Sequence, residues 1–183
     1  MRRHEKEIHD KKVIDNLLGR STVGRLGTAG RDGYPRIKPL NFVYVDHAIY
    51  FHSAREGEKI DDIRQDSRVC FEADLPIAYV KGSQDDPCRA GYLYQSVIIC
   101  GRAVLVHNEI EQRKALSELM RKYQPGGCAE FPEAKLAMTA VVRIDIETMT
   151  GKEDLGTGAL RERVIAALRE GTPLPMDVQR EKE

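Results

Sequence analysis

Three side chains suited to holding a phosphate group occur close together in this sequence: His52, Ser53 and Lys59. The apolar pattern predicts a strand over residues 49–53 and an amphipathic helix over residues 57–65. Lys59 would then lie in the first turn of that helix. A cation there opposes the helix dipole at a cost of about 0.3–1 kcal/mol. An anion held between the exposed N–H groups and Lys59 would turn this unfavourable free energy into a favourable one. The pattern therefore indicates a candidate phosphate site.

Each of these residues also has a simpler interpretation. Lys59 could be a solvated lysine on a surface helix, and its spacing alone does not distinguish the two roles. His52 could be a core histidine bonded to a backbone carbonyl. On the same helix, Asp61 and Asp62 are predicted to be solvated, and no pair of carboxylates is suited to acid–base catalysis.

Composition excludes several classes of function. The 183 residues fit one compact domain, and 29 basic and 29 acidic side chains balance. No overall charge therefore favours nucleic acid or acidic lipid, and the absence of Trp argues against a base-stacking surface. No apolar run approaches the roughly 20 residues needed to cross a bilayer, and the charged N-terminus lacks a signal-peptide core. We expect a cytoplasmic protein.

The four cysteines are Cys70, Cys88, Cys100 and Cys128. None belongs to a CxxC pair, and Cys70 and Cys100 lie in apolar, strand-like runs. We therefore expect small buried hydrophobic side chains rather than metal ligands or a disulfide framework. No zinc, Walker or nucleophile-elbow motif is present, and we predict no metal site.

The remaining pattern is rich in strands. Further strands are predicted over residues 21–28, 36–45, 68–73, 92–106 and 138–146. An N-terminal helix is predicted to end at Gly19, which would be its C-cap. Further helices are predicted over residues 109–123 and 159–170, with Gly171 as a stop signal for the last one. Because the helices are few and peripheral, the pattern favours a mostly β, α+β fold, a small antiparallel barrel, over a parallel sheet.

Two strand positions and one connection carry further expectations. Pro39 cannot donate to a sheet ladder, so it should lie at an edge, a bulge or a gap in pairing, where backbone groups are free to meet a ligand. Gly101 should mark a bulge or a barrel corner. Residues 75–89 contain Pro, Gly and Asp and are predicted to form a long loop, which could act as a lid. The last six residues, VQREKE, are expected to be frayed.

Four segments in this order resemble the FMN-binding split-barrel superfamily that includes pyridoxamine 5′-phosphate oxidase. The resemblance is strongest to the branch of the nitroimidazole-resistance proteins. The segments are GRLGTAGRDGYPRIKPLNFVY, IYFHSAREGEKIDDIRQDSRVCFE, YQSVIICGRAVLV with a following ALSELMRKY helix, and VVRIDIETMTGK. The resemblance covers residues 3–152. It divides the chain into an FMN-binding domain over residues 1–152 and a C-terminal helix and tail over residues 153–183.

The resemblance implies a six-stranded antiparallel split β-barrel with peripheral helices. It also implies a homodimer that holds FMN at the subunit interface. His52, Ser53 and Lys59 would face the FMN phosphate, and in this branch the histidine matching His52 is a candidate reaction centre. The backbone of one strand would lie against the flavin ring, and a second chain would approach it. The residues of the strand against the ring would be Lys38, Pro39, Leu40 and Asn41. The residues that approach the flavin from the second chain would be Gln95, Ser96 and Val97.

The resemblance implies that the protein is an FMN-dependent oxidoreductase. Its substrate would be a small organic molecule of the nitroaromatic kind. The vitamin-synthesis oxidases carry a denser Arg/Lys phosphate clamp and an arginine-rich C-terminal motif. This chain ends instead in a helix and a polar tail, so we do not expect pyridoxamine phosphate as the substrate. The alternatives are a non-catalytic module that binds flavin, deazaflavin or haem, with His52 or His107 as the haem ligand, and an interaction protein with an empty pocket.

Overall fold

A computed structural model describes residues 3–82, 87–126, 130–174 and 177–179 of the chain. The strands are β1 (Glu7–Ile8), β2 (Gly24–Ala29), β3 (Pro35–Leu40), β4 (Val43–Val45), β5 (Ala48–Ala54), β6 (Arg68–Lys81), β7 (Gly91–Leu105), β8 (Thr139–Asp154) and β9 (Asp177–Gln179). The α-helices are α1 (Lys11–Arg20), α2 (Glu58–Gln65), α3 (Glu109–Tyr123), α4 (Glu133–Met138) and α5 (Gly158–Glu170).

The strands form one mostly antiparallel sheet in the order β3-β2-β6-β7-β8-β5-β4. β1 pairs with β8, and β9 runs parallel to β6. The predicted α+β split-barrel architecture is confirmed. The described residues hold nine strands rather than six, because the predicted strand over residues 36–45 divides into β3 and β4 and because two short terminal strands add to the sheet.

The barrel interior is built from alternate residues of the paired strands. Leu26 of β2 lies opposite Phe71 of β6, and Phe71 lies opposite Ile99 of β7; all three side chains are fully buried. Their neighbours along each strand point outward, because successive side chains of a strand take opposite faces. Helix α1 contributes Leu17 and Leu18 to the same core cluster.

The predicted loop over residues 75–89 is wrong in its first part. Residues 75–81 continue β6, which pairs with β7 as far as Val80. Proline lacks the N–H that a regular ladder needs, and here the register shifts between Pro76 and Ala78, so the strand absorbs the proline as an irregularity. The stretch 83–86 lies outside the described residues.

The predicted burial of the cysteines is also wrong where the structure describes them. Cys70, Cys88 and Cys100 are exposed free thiols, and Cys128 lies outside the described residues. The strand runs that contain Cys70 and Cys100 are apolar because their alternate residues fill the barrel. The cysteines take the intervening, outward positions.

The helices follow their sequence signals with small differences at the ends. Helix α3 has the predicted bounds, and the Asn108 side chain caps it by accepting from Glu111 N. Helix α1 runs through Gly19 to Arg20, so the predicted glycine cap is wrong. Helix α5 ends at Gly171 in the left-handed conformation, with φ of 70°, as predicted. None of the described helices combines the length and the apolar character needed to cross a lipid bilayer.

The end of the chain departs from the expected frayed tail. Residues 177–179, including the first two residues of VQREKE, pair with β6, and residues 180–183 lie outside the described residues.

The bulge predicted at Gly101 is present, and it gives a test of the fold. The register between β7 and β8 shifts at Cys100/Gly101, and a Cβ atom on Gly101 would lie 2.2 Å from the backbone oxygen of Asp145. Because backbone must move to relieve that clash, we expect Gly101→Ala to lower the free energy of unfolding by about 1–3 kcal/mol, measured by urea denaturation.

Gly91→Ala on the same strand is the matched control, since nothing lies within 4 Å of a Cβ atom at that position. Equal urea midpoints for the two variants would contradict the assigned register.

Candidate functional site

The predicted phosphate residues lie at the junction of β5 and α2. Near the end of β5, His52 is exposed and Ser53 is half-buried. Phe51, the residue before His52, is fully buried. Gly57 precedes α2 with φ of 112°, and no side chain caps the helix. The first N–H groups of α2 are therefore without a side-chain acceptor, which is the arrangement that anions bind.

Three basic side chains crowd this junction. Burial lowers the pKa of Lys59, and the charge of Lys38 lowers it further. Although part of its side chain is exposed, His52 is desolvated by the surrounding protein atoms, which lowers its pKa, and the charge of Lys59 adds to this effect. The Lys59 Nζ atom lies 5.3 Å from the centre of the Phe51 ring, and no carboxylate of the described residues forms an ion pair with it. A bound anion would relieve this repulsion.

Lys38 reaches this junction from the edge strand β3. It lies opposite Leu26 of β2, so its side chain takes the inner face and points to α2. Its Nζ atom is buried and forms no hydrogen bond of good geometry, although Glu58 Oε2 lies 2.8 Å away and Asp62 Oδ2 3.7 Å away. The strand thus delivers a cation to the helix start.

Asp62 joins α2 to the sheet, and its predicted exposure is wrong. It is 2% exposed, accepts a hydrogen bond of 2.8 Å from Thr28 Oγ1, and pairs with Arg36 at 3.2 Å. Arg36 also pairs with Glu58 at 2.8 Å, so the acidic charge at the helix start is already compensated.

A sequence signal for this network existed. Glu58 and Asp62 are four residues apart and share a helix face, and Arg36 and Lys38 are two residues apart and share a strand face. Sequence reasoning missed the match because it considered Asp62 only with its neighbour Asp61 and did not compare the helix with the strand.

The predicted flavin strand has a free edge. β3 pairs with β2 and has no second neighbour among the described strands. Pro39 is exposed on this edge strand, as expected for a residue without an N–H. Leu40 packs against the barrel core, and Asn41 is exposed where β3 ends.

The segment after β3 is fixed by the end of α3. The Tyr123 hydroxyl accepts a hydrogen bond from Phe42 N at 3.0 Å, and its own proton can reach the carbonyl oxygens of Thr22 and Phe42. Lys122 Nζ lies 3.7 Å from the centre of the Phe42 ring and donates to Leu18 O at 2.9 Å. Burial lowers the pKa of Lys122 to about 8.

The second predicted segment lies elsewhere in the same chain. Gln95 and Val97 are buried and Ser96 is half-buried. Gln95 Nε2 donates to Glu153 Oε2 at 2.9 Å, and Gln95 lines a cavity of about 380 Å³ between α1 and α5. The fold therefore brings Lys38, His52 and Lys59 together and places Gln95 at a different cavity of that chain.

A further cavity contains His107. It measures about 370 Å³ and also contains Arg55 and Arg64, with Val106 and Leu136 among its apolar walls. A histidine beside apolar walls is a feature of haem pockets, which bears on one of the alternatives.

These features indicate a binding site more than a set of reacting side chains. The cluster of Lys38, His52 and Lys59 can hold a dianionic group, and the free edge of β3 can donate and accept hydrogen bonds to a planar ring. Redox chemistry at such a site would come from the bound group.

Comparisons with known proteins identify the family of this chain. The model of the family described as pyridoxamine 5′-phosphate oxidase matches residues 10–153. No curated protein matches the sequence significantly.

Solved structures share the fold. One is a Bacteroides thetaiotaomicron protein with a proposed role in 5-nitroimidazole antibiotic resistance (25% identity, TM-score 0.70, covering 80% of this chain and 85% of that chain). Another is a FAD-binding protein of Mesorhizobium loti (26% identity, TM-score 0.56, 79% and 95%). The flavocytochrome Anf3 of Azotobacter vinelandii shares the fold at 20% identity, with TM-score 0.75 and coverage of 91% and 77%.

The network around Asp62 predicts a large effect of one neutral substitution. Asp62→Asn leaves Arg36 and Lys38 without their buried acceptor, so we expect it to lower the free energy of unfolding by about 3 kcal/mol, measured by urea denaturation. Asp61→Asn is the control, because Asp61 is exposed and its contact with Arg64 is 3.6 Å long. A change below about 1 kcal/mol in Asp62→Asn would contradict the buried pairing.

The crowded cations predict the titration of His52. In the ligand-free protein its pKa should lie below 6.5. Lys59→Met removes a neighbouring charge that disfavours the imidazolium, so the pKa should rise; bound inorganic phosphate should raise it further. An NMR titration of the ring protons measures this shift, with the exposed Lys135→Met as the control. A His52 pKa that is the same in wild type and Lys59→Met would show that the two side chains are not neighbours.

Proposed function

Because this chain belongs to the pyridoxamine 5′-phosphate oxidase family, we propose that it is a flavoprotein that binds FMN and catalyses a redox reaction of a small organic molecule, such as a nitroaromatic compound. One observation carries the proposal: three basic side chains, from β3, β5 and α2, converge on a helix start that no side chain caps. Crowding and burial lower the pKa of two of them, so a dianion is the ligand that this charge pattern fits.

In this proposal the FMN phosphate is held by the start of α2 and by Lys59, His52 and Ser53. The phosphate would replace water around Lys59 with charge-assisted hydrogen bonds, which are stronger than neutral ones. Lys38 would stay paired with Glu58 and would add positive charge without losing its own partner.

The flavin ring would lie along the free edge of β3, beside Pro39, Leu40 and Asn41. Backbone N–H and C=O groups there would orient the ring and tune its electronics. The bound flavin would supply electron transfer as a pair or singly, while this chain's residues bind the cofactor and shape the access of the substrate. His52, at the same junction, is the candidate residue for holding a proton near the ring.

The functional unit would be a homodimer. Gln95 lies at a different cavity of its own chain, so a second copy would have to bring Gln95, Ser96 and Val97 to the flavin. Tyr34, which precedes the flavin strand β3, and Ile37, which lies on it, are 72% and 71% exposed and offer apolar surface that a second copy would cover.

The relatives support both parts of the proposal at a coarse level. The Mesorhizobium loti protein is described as binding FAD, and the Bacteroides thetaiotaomicron protein has a proposed role against 5-nitroimidazoles. Nitro groups accept electrons readily, which is why a nitroaromatic compound is the substrate class that we propose.

The alternative is a non-catalytic flavin- or haem-binding module. The observation that favours haem is the cavity that His107 lines together with apolar side chains such as Val106 and Leu136. A Soret band after haem addition that is lost in His107→Ala would support this function, and its persistence there with loss in His52→Ala would place the ligand on β5.

Purified protein should bind one FMN per chain and sediment as a dimer. Lys59→Ala removes one charge-assisted contact worth about 1.5–3 kcal/mol, so its Kd for FMN should rise about 10- to 150-fold. Quenching of flavin fluorescence during titration measures the Kd, and sedimentation of the complex measures the dimer.

The exposed Lys135→Ala should keep the wild-type Kd and controls for the loss of any lysine charge. Unchanged FMN affinity in Lys59→Ala would refute the phosphate assignment. A wild-type protein that binds neither FMN nor FAD would refute the flavoprotein proposal. Binding without turnover of nitroaromatic compounds in the presence of NAD(P)H would leave the non-catalytic module as the function.

A further inference from the structure

Two thiols face each other across the middle of the sheet. Cys70 of β6 and Cys100 of β7 are direct partners in the antiparallel register, and both are exposed. Their neighbours Phe71 and Ile99 fill the barrel, so the two cysteines share the outer face.

The hydrogen-bond pattern of β6 and β7 shows which kind of pair they form. Ala103 N donates to Ser67 O at 2.7 Å, and these two residues lie opposite each other, three steps along the ladder from Cys70 and Cys100. Hydrogen-bonded and non-hydrogen-bonded pairs alternate at each step. Cys70 and Cys100 are therefore a non-hydrogen-bonded pair, whose Cα atoms are about 4.5 Å apart and whose side chains approach most closely. A disulfide needs Cα atoms roughly 4.4–6.8 Å apart, so the backbone meets this requirement.

In the single chain the outer face around this pair is open, although it belongs to the same row of strand partners as Ile37, which the proposed dimer would cover. Gly27, the partner of Cys70 on β2, has no side chain, and Thr148, the partner of Cys100 on β8, is exposed. Cys88 is also exposed, but it lies in a short helical turn away from this row of strand partners.

We propose that Cys70 and Cys100 are a redox-modification site, a cross-strand dithiol that small-molecule disulfides convert into an intramolecular disulfide. One thiolate attacks the small disulfide, forms a mixed disulfide and releases one small thiol. The second thiolate attacks the protein-side sulfur of that bond, closes the bond between the two cysteines and releases the second small thiol. Two electrons pass from the pair to the small disulfide, and the two protons end on the released thiols.

The surroundings of Cys70 set the pH dependence of this step. Burial raises the pKa of Cys70, and the neighbouring Cys100 and Glu72 raise it further. Three arginines also lie on this outer face, and each pairs with carboxylates. Arg25 pairs with Glu72 and Asp74, Arg68 with Asp66, and Arg102 with Glu147. Because the thiolate is the reacting form, the exchange should quicken as pH rises above neutral.

The site is tested on the full chain in buffers of oxidised and reduced glutathione, with rapid alkylation of the remaining thiols and peptide mapping by mass spectrometry. Cys70 and Cys100 should become resistant to alkylation together, in a linked species lighter by two hydrogen atoms. Cys88 should instead be alkylated or carry a single glutathione, independently of the pair.

Two variants separate the steps. In Cys100→Ser the second attack is impossible, so Cys70 should accumulate the glutathione mixed disulfide. Cys88→Ser is the matched control, and it should form the linked species to the wild-type extent. Reaction in urea gives a further control, because linkage that forms only in the unfolded chain does not come from the register.

Several results would overturn the proposal. One is a wild-type protein in which Cys70 and Cys100 stay alkylatable, or carry separate glutathiones, in buffers that modify Cys88. Another is a link between two chains, or a link of either cysteine to Cys88 or Cys128. Because these outcomes are read from the wild-type protein, they do not depend on the variants folding. They are read on the chain diluted until it sediments as a monomer, because the proposed dimer would cover this face and would otherwise hide the pair.

Discussion

The register of the antiparallel strands is the constraint on which the other features of this protein depend. In a strand, successive side chains take opposite faces, so a shift by one residue would move every core side chain to the surface. The register of β2, β6 and β7 places Leu26, Phe71 and Ile99 in the barrel. The same register on β3 turns Lys38 toward α2 and leaves the cysteines outside. The core, the candidate anion site and the exposed cysteine pair therefore all follow from one alignment.

Much of the fold could be predicted from local signals. Helix α3 has the predicted bounds because its apolar spacing and Asn108 cap agree, and the bulge at Gly101 was visible as a glycine within a long strand. Residues 75–81 were mistaken for a loop because proline and charge are local loop signals, whereas long pairing with β7 overrides them. The predicted burial of the cysteines is wrong for a related reason, because an apolar run does not show which of its alternate residues face inward.

The candidate site was predicted unevenly. His52, Ser53 and Lys59 were found because they are neighbours in sequence. Lys38 was named only through the resemblance, and the role of Asp62 in α2 was missed because its partners lie on β2 and β3, far from it in sequence. The structure adds a physical reason to propose an anion there. Burial lowers the pKa of both His52 and Lys59, the charge of Lys59 lowers that of His52 further, and the charge of Lys38 lowers that of Lys59, while the carboxylate of Glu58 is already shared between Arg36 and Lys38.

The contact between Tyr123 and Phe42 joins positions that are 81 residues apart in the chain. The backbone that follows β3 is therefore held by a hydrogen bond to the last turn of α3, and a change in one of the two segments affects the fit of the other. A chimera that took its first half from one relative and its second half from another would keep both segments but could separate a hydroxyl from the backbone that it was fitted to. Exchange of the β3 strand between family members is thus expected to succeed only when the end of α3 is transferred with it.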